Sequence, residues 1–252
     1  MIRTLVRHFA LGALALPLAL GLAACGKKAD DGGPKASEPI AKIAPPAGES
    51  WSDVVKKTAD GGYRMGNPKA PIKLVEYGAL SCSHCALFAK ESYEELRNDY
   101  IDSGRVSYEL RYFMLNPYDV SASLLATCGS TEAVIPLSEQ FWAWQPHMFE
   151  NVQAAGDARL KAIGEMPKEQ QIAALANVSG MIDFFASRGI ARDQAKSCLA
   201  DTAKAKALAS QTEKATTEYN ISGTPTFIIN GSVVGSMVWK ELETKLQEAG
   251  AR

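Results

Sequence analysis

Strand-forming sequence lies near both ends of this chain and is scarce between them. "IKLVEYG" (Ile72 to Gly78) and "VSYELRYFML" (Val106 to Leu115) read as strands, and "TPTFIIN", an Asn230-Gly231 turn and "SVVG" read as a late hairpin. From Tyr118 to about Tyr219 the period is helical instead, with segments such as "SEQFWAWQPHMFENV" and "KAKALASQTEKATTEY" separated by Gly, Pro and Asp. A hairpin cannot bury its face alone. The late strands must therefore join the early ones in one sheet, which makes the block between them an insertion of about five or six helices. "WSDVVKK", a turn at "ADGG" and "YRM" suggest a further edge hairpin, and "SMVWKELETKLQEAG" closes the chain as an amphipathic helix carrying Val238, Leu242 and Leu246. The class is α/β, and 252 residues suffice for one large domain or two small ones.

The first residues follow another logic. "MIRTLVRH" is basic, "FALGALALPLALGLAA" is apolar and too short and Pro-broken for a spanning helix, and Cys25 follows at once. This is a secretory signal over residues 1–24. "LAAC", Leu22 to Cys25, resembles the bacterial lipobox, which implies a lipid on Cys25; the alternative is an ordinary signal cut near Ala24. Gly26 does not resemble the inner-membrane retention residue, so the outer membrane is slightly favoured as the anchor site. Residues 25–50 are rich in Gly, Pro, Ala, Lys and Asp and read as a flexible tether. The body is then 51–116 and 220–252, with the insertion at 117–219. A formal net charge of −1 offers no electrostatic case for nucleic acid. Export implies an oxidising compartment, the periplasm. Of five cysteines, lipidation of Cys25 leaves Cys82, Cys85, Cys128 and Cys198, an even set.

Cys82 and Cys85 flank Ser83 and His84 where the first long strand gives way to a helix over about Ser83 to Tyr100. Cys85, Ala89, Tyr93, Leu96 and Tyr100 form one apolar stripe at helical spacing, so Cys85 faces inward while Cys82 sits at the open helix start. Unpaired N–H groups and the helix dipole favour a thiolate there, and a protonated His84 would add to the effect. That makes Cys82 the nucleophile and a good leaving group, and a stabilised dithiol makes the disulfide more oxidising. Cys85 becomes the resolving thiol. Glu76, in the strand leading to the loop, is a candidate proton acceptor if burial raises its pKa; the plainer reading is an edge-strand glutamate facing solvent. The CxxC could also be a structural staple. As a metal clip it lacks a second CxxC or a His pair for zinc, His147 being the other histidine beyond the signal, although Cys82, Cys85 and His84 could hold Cu(I).

"IKLVEYGALSCSHCALFAKE", the helical insertion and "ISGTPTFIINGSVV" together resemble the DsbA-like branch of the thioredoxin superfamily. The resemblance covers the body from about Trp51 onward and implies a thioredoxin fold with an inserted all-α subdomain. It implies that Pro225 is the family's cis-proline and that Thr224 and Pro225 bind an extended substrate chain beside the CxxC. It further implies catalysis through Cys82, Ser83, His84, Cys85 and Glu76, with no cofactor beyond the redox pair. Exported proteins with free or paired thiols are the implied substrates, and a quinone-coupled membrane protein the implied oxidant. Ser83-His84 departs from the Pro-His of the best-known oxidases, and Thr224 resembles the isomerase and reductase branch, so the direction of exchange stays open. No dimerisation domain is visible, which points to a monomer. Cys128 and Cys198 lie in helical segments of the insertion and read as a structural disulfide or as two buried thiols. The cluster "FWAWQPHMF" (Phe141 to Phe149) reads as core packing or as the wall of a peptide groove, with His147 a bystander.

Overall fold

A computed structural model describes residues 37–252; the signal, Cys25 and the first part of the tether lie outside the described residues. Six strands form one mixed sheet: β1 (Val55–Lys57), β2 (Tyr63–Met65), β3 (Ile72–Gly78), β4 (Val106–Tyr112), β5 (Thr226–Ile229) and β6 (Ser232–Gly235), in the order β1-β2-β4-β3-β5-β6. β3 and β4 are parallel from Ile72↔Val106 to Gly78↔Tyr112, and every other pairing is antiparallel. The hairpin therefore joins the early strands, as burial of its face requires. Its Asn230-Gly231 turn has positive φ at both residues (50° and 84°), which matches the twist of antiparallel strands.

Helix α1 (Ser83–Glu95) and a π-wound turn (Leu96–Ile101) connect β3 to β4. The buried residues of α1 are Cys85, Phe88, Ala89 and Ser92. Tyr93 is only half-buried, so the stripe predicted through it is centred on Phe88 instead. The insertion holds α2 (Pro117–Ala126), α3 (Val134–Ala155), α4 (Asp157–Gly164), α5 (Lys168–Val178), α6 (Met181–Ala186), α7 (Arg192–Leu199) and α8 (Thr202–Tyr219). That is more pieces than the helical pattern suggested. The added piece is α4, which Gly156 (φ 76°) sets off from α3. The chain ends with α9 (Trp239–Glu248); Val238 is its exposed N-cap, and Trp239, Leu242, Glu243 and Leu246 are buried. Among the described residues no helix is long and apolar enough to cross a membrane.

Alternation along the central strands sorts the side chains onto two faces. Ile72, Leu74 and Glu76 of β3, with Tyr108 and Leu110 of β4, point into the main core. Phe227 of β5 stands opposite Glu76, its ring centroid 4.6 Å from that of Phe88. Tyr77 and Ile228 point to the other face, where Ala215 of α8 and Ile221 cover them. β4 stops at Tyr112, short of the predicted Leu115. The N–H of Met114 already bonds the Thr212 hydroxyl, and the N–H groups of Leu115 and Asn116 bond Asp119.

One expectation needs correction. Residues 37–50 are not free tether: the N–H groups of Ser37 and Ile40 bond the carbonyls of Glu248 and Gly250, and that of Ile43 bonds Ser103. The composition hides this because the contacts are main-chain. The aromatic cluster, by contrast, packs as core, the first of its two readings, and is not a groove wall as a unit. Phe141, Trp142 and Met148 are buried, Trp144 stacks near Phe184 at 4.7 Å, and Phe149 is the exposed member.

Cys128, just beyond α2, and Cys198 of α7 are joined by a disulfide with an S–S distance of 2.00 Å and a sequence separation of 70. A cross-link of that span restricts the unfolded chain strongly. Replacing both residues by serine should lower the unfolding free energy by about 2–4 kcal/mol, read as a reduced urea midpoint for the intact fold.

Candidate active site

The sheet and α1 meet at the loop 79–82, and this loop is fixed from two sides. Trp142 Nε1 of α3 donates to the Ala79 carbonyl (3.0 Å), and Gln145 Nε2 donates to the carbonyls of Leu80 (2.7 Å) and Cys82 (3.1 Å). From α2, the fully buried Asp119 accepts from the Ser81 N–H (2.7 Å) and hydroxyl (3.0 Å), while Asn116 Nδ2 donates to Ser81 Oγ (2.7 Å). Burial raises the Asp119 carboxyl against the pull of these donors. The sequence reading met Trp142 and Gln145 only as members of the aromatic cluster and passed over Asn116 and Asp119. Asn116-x-x-Asp119, with Pro117 at the first helical position, is a capping box, which was legible. Gln145, inside a helix, carried no signal.

So held, Cys82 is the N-cap of α1. The Cys85 N–H donates to its sulfur at 3.4 Å, and in the thiol form Cys82 donates to the Thr224 carbonyl at 3.2 Å. Both thiols are free. The Cys82 thiol is lowered from an ordinary 9.0 to about 5. The Cys85 thiol donating to its sulfur is the largest cause. The Thr224 hydroxyl and the N–H groups of Cys85 and His84 add to it and outweigh burial. Thr224 Oγ1 is buried and without a hydrogen-bond partner, so it is free to turn to that sulfur. Cys85 differs in kind. It is 0% exposed against 8% for Cys82, and burial, its bond to Cys82 and the nearby Glu76 push its thiol well up.

Glu76 is not an edge residue. β3 is central, and the carboxylate is 1% exposed. Burial pushes it up to about 8, against the Tyr108 hydroxyl, which donates to its Oε2 at 2.8 Å. Its Oε1 has no partner. Thr224-Pro225 is a cis peptide just before β5. The side chains of Ser83 and His84 are exposed; the contribution of His84 to the sulfur is its backbone N–H, where the sequence suggested its ring. The His84 ring instead lines a groove of about 200 Å3 with Leu87, Phe88, Met237 and Val238. Leu87 and Val238 are nearly half exposed there. Among the described residues no group of three or more His, Cys, Asp or Glu side chains is arranged to hold a metal ion.

A family model described as Thioredoxin matches residues 58–248. The chain belongs to the thioredoxin family. A protein-disulfide isomerase from Novosphingobium aromaticivorans resembles this thioredoxin-family chain at 30% identity with a TM-score of 0.71, over 75% of this chain and 97% of that one. The alpha-DsbA1 of Wolbachia pipientis shares the fold, with a TM-score of 0.57 at 23% identity, over 75% of this chain and 90% of that one. A Rickettsia conorii protein, named provisionally as a protein-disulfide oxidoreductase, is 25% identical over 203 residues. That match covers 78% of this chain and 63% of the relative, so the chain spans less than two thirds of the relative's length.

Titrating the reduced protein by thiolate absorbance should give a midpoint near 5 for Cys82. Thr224→Val should raise that midpoint by about one pH unit, since a hydrogen bond to a charged group contributes roughly 1.5 kcal/mol. The same ionisation links stability to pH. The folded value lies below the unfolded one, so the stabilisation is complete above about 9 and is lost as pH falls through about 5. Glu76 is present in both redox states and largely cancels between them. The stability of the reduced form relative to the oxidised form should therefore grow between pH 5 and pH 8, as urea unfolding of both forms would read.

Proposed function

We propose that the chain is a thiol:disulfide oxidoreductase that introduces disulfides into exported proteins through Cys82 and Cys85. The observation that carries this reading is the acceptance of hydrogen bonds by Cys82 Sγ at the start of α1. A sulfur stabilised as thiolate is a good leaving group, so the disulfide it forms is readily given away. The cycle begins with the Cys82–Cys85 disulfide. A substrate thiolate attacks Cys82 Sγ, the Cys82–Cys85 bond breaks, and Cys85 leaves with the electron pair and takes a proton from Glu76. A second substrate thiolate attacks the substrate sulfur of the mixed disulfide, releasing Cys82 as thiolate. The substrate is oxidised by two electrons and the pair is reduced. Reoxidation runs the steps backward against a membrane oxidant, which by family likeness is quinone-coupled.

Thr224 and Pro225 lie beside the reactive sulfur and would offer main-chain hydrogen bonds to an extended substrate, which suits broad selectivity. No cofactor beyond the cysteine pair is needed. The setting is the periplasm, with Cys25 lipidated and the body acting as a monomer. A reductase or isomerase of the same family is the second reading. It is favoured by Thr224 ahead of the cis-proline and by the likeness to the Novosphingobium protein. The Cu(I) alternative is disfavoured by His84, whose ring lines the exposed groove.

Direction is read by the reduction potential of the pair. A value near ~−120 mV is expected for the oxidase, and one near ~−270 mV would overturn it in favour of the reductase. Cys82→Ser should abolish oxidation of a reduced substrate protein. Cys85→Ser, mixed with the oxidised form of that protein, should accumulate a mixed disulfide at Cys82, visible as a reducible band.

A further inference from the structure

Burial of Glu76 creates a difficulty that the cysteine chemistry alone does not resolve. Each time the pair is reoxidised, Cys85 must lose a proton, and Glu76 is the acceptor within the core. That proton then has to leave a carboxyl group that is 1% exposed. On the reading that Cys82 and Cys85 exchange disulfides, we propose that Glu139 on α3 is the outlet through which the proton reaches solvent, with the Tyr108 hydroxyl between the two carboxyls.

Three observations point there. Tyr108 bonds Glu76 Oε2 and also lines a small cavity on its far side, whose polar wall includes Ser92, Arg97 and Glu139. That cavity measures about 10 Å3, near the size that admits one water molecule with polar partners around it. Arg97 Nε at this wall is buried with no partner. The turn of α3 that carries Glu139 is held in register with the sheet by its neighbour Ser138, whose hydroxyl lies 2.6 Å from Tyr112 OH. Glu139 lines the cavity and is, as a residue, partly exposed.

The groups facing Glu139 are Tyr93 and Arg97 from α1 and its π-wound extension, Tyr108 and Tyr112 from β4, and Glu76 from β3. Burial and the Glu76 carboxylate raise the Glu139 carboxyl well above the ordinary range, so the two acids resist ionising together. A proton arriving at Glu76 favours release of one from Glu139. The step balances as one proton: the Cys85 thiol gives it to Glu76, Glu139 releases its own to water, and Glu76 then passes its proton to the Tyr108 oxygen as the phenol turns and gives its own across the cavity to the Glu139 carboxylate. The Cys85 thiolate then forms the disulfide with Cys82 and expels the partner's sulfur. Glu139 acts through Glu76 and is a positioning residue for its proton.

The test is the rate at which Cys85 expels glutathione from Cys82, followed by rapid mixing of the reduced full chain with saturating oxidised glutathione and acid quenching, from pH 5.5 to 8.5. Glu139→Gln should slow this step by roughly tenfold at the acid end, a modest share of what general acid–base catalysis contributes. The slowing should shrink toward pH 8.5, with the Cys82 midpoint and the urea midpoint unchanged. Tyr108→Phe should show the same pH profile, and it carries the test if Glu139→Gln fails to fold. A wild-type profile for Glu139→Gln alongside a slow Glu76→Gln would overturn the outlet and leave the oxidoreductase reading intact. A wild-type rate for Glu76→Gln would overturn the outlet by removing its source. Turnover by Cys82→Ser would instead refute the oxidoreductase reading itself.

Discussion

The reactive end depends on one atom, Cys82 Sγ, which accepts from both the Cys85 thiol and the Cys85 N–H at the start of α1. A helix start needs an acceptor for its unpaired N–H groups, and a side-chain oxygen usually supplies it. Here a sulfur does. The local requirement for a cap and the chemical requirement for a stable thiolate are thereby met by the same atom. Negative charge on that sulfur improves the cap, and the cap favours the charge.

Such a contact survives only if the backbone before it is held still. Two helices of the insertion do this from opposite directions, α3 through Trp142 and Gln145 and α2 through Asp119 and Asn116. The inserted subdomain is thus more than a cover over the sheet. It supplies the donors and acceptors that the loop 79–82 cannot satisfy within the sheet. From the third side, the loop before β5 brings Thr224 to the sulfur, and pairing of β5 with β3 sets its position.

Much of this was legible in the residues. The strands at both ends, the Asn-Gly hairpin and the strand-to-helix placement of the CxxC follow from period and turn chemistry. Glu76 stood out because a carboxylate among Ile72, Leu74 and Val75 needs a reason. What stayed hidden was long-range and polar. Gln145 and Glu139 look like ordinary helix residues, and their meaning comes from what α3 is packed against. Arg97, Ser92 and Tyr108 share a wall only because a π-wound turn ends α1, which no periodicity announces. The docked segment 37–50 escaped notice because Gly, Pro and Ala composition speaks of freedom, whereas its bonds are made by backbone atoms that every residue owns.

That docked segment also orients the molecule. Ile43 bonds Ser103 just past the π-wound turn, and Ser37 and Ile40 bond the last residues of α9. These lie at the opposite end of the α1 axis from Cys82, roughly 28 Å away at 1.5 Å per helical residue. A force applied through the leading segment would arrive at the base of the body. Load entering there would be borne by main-chain bonds at the base, far from the sulfur that does the chemistry.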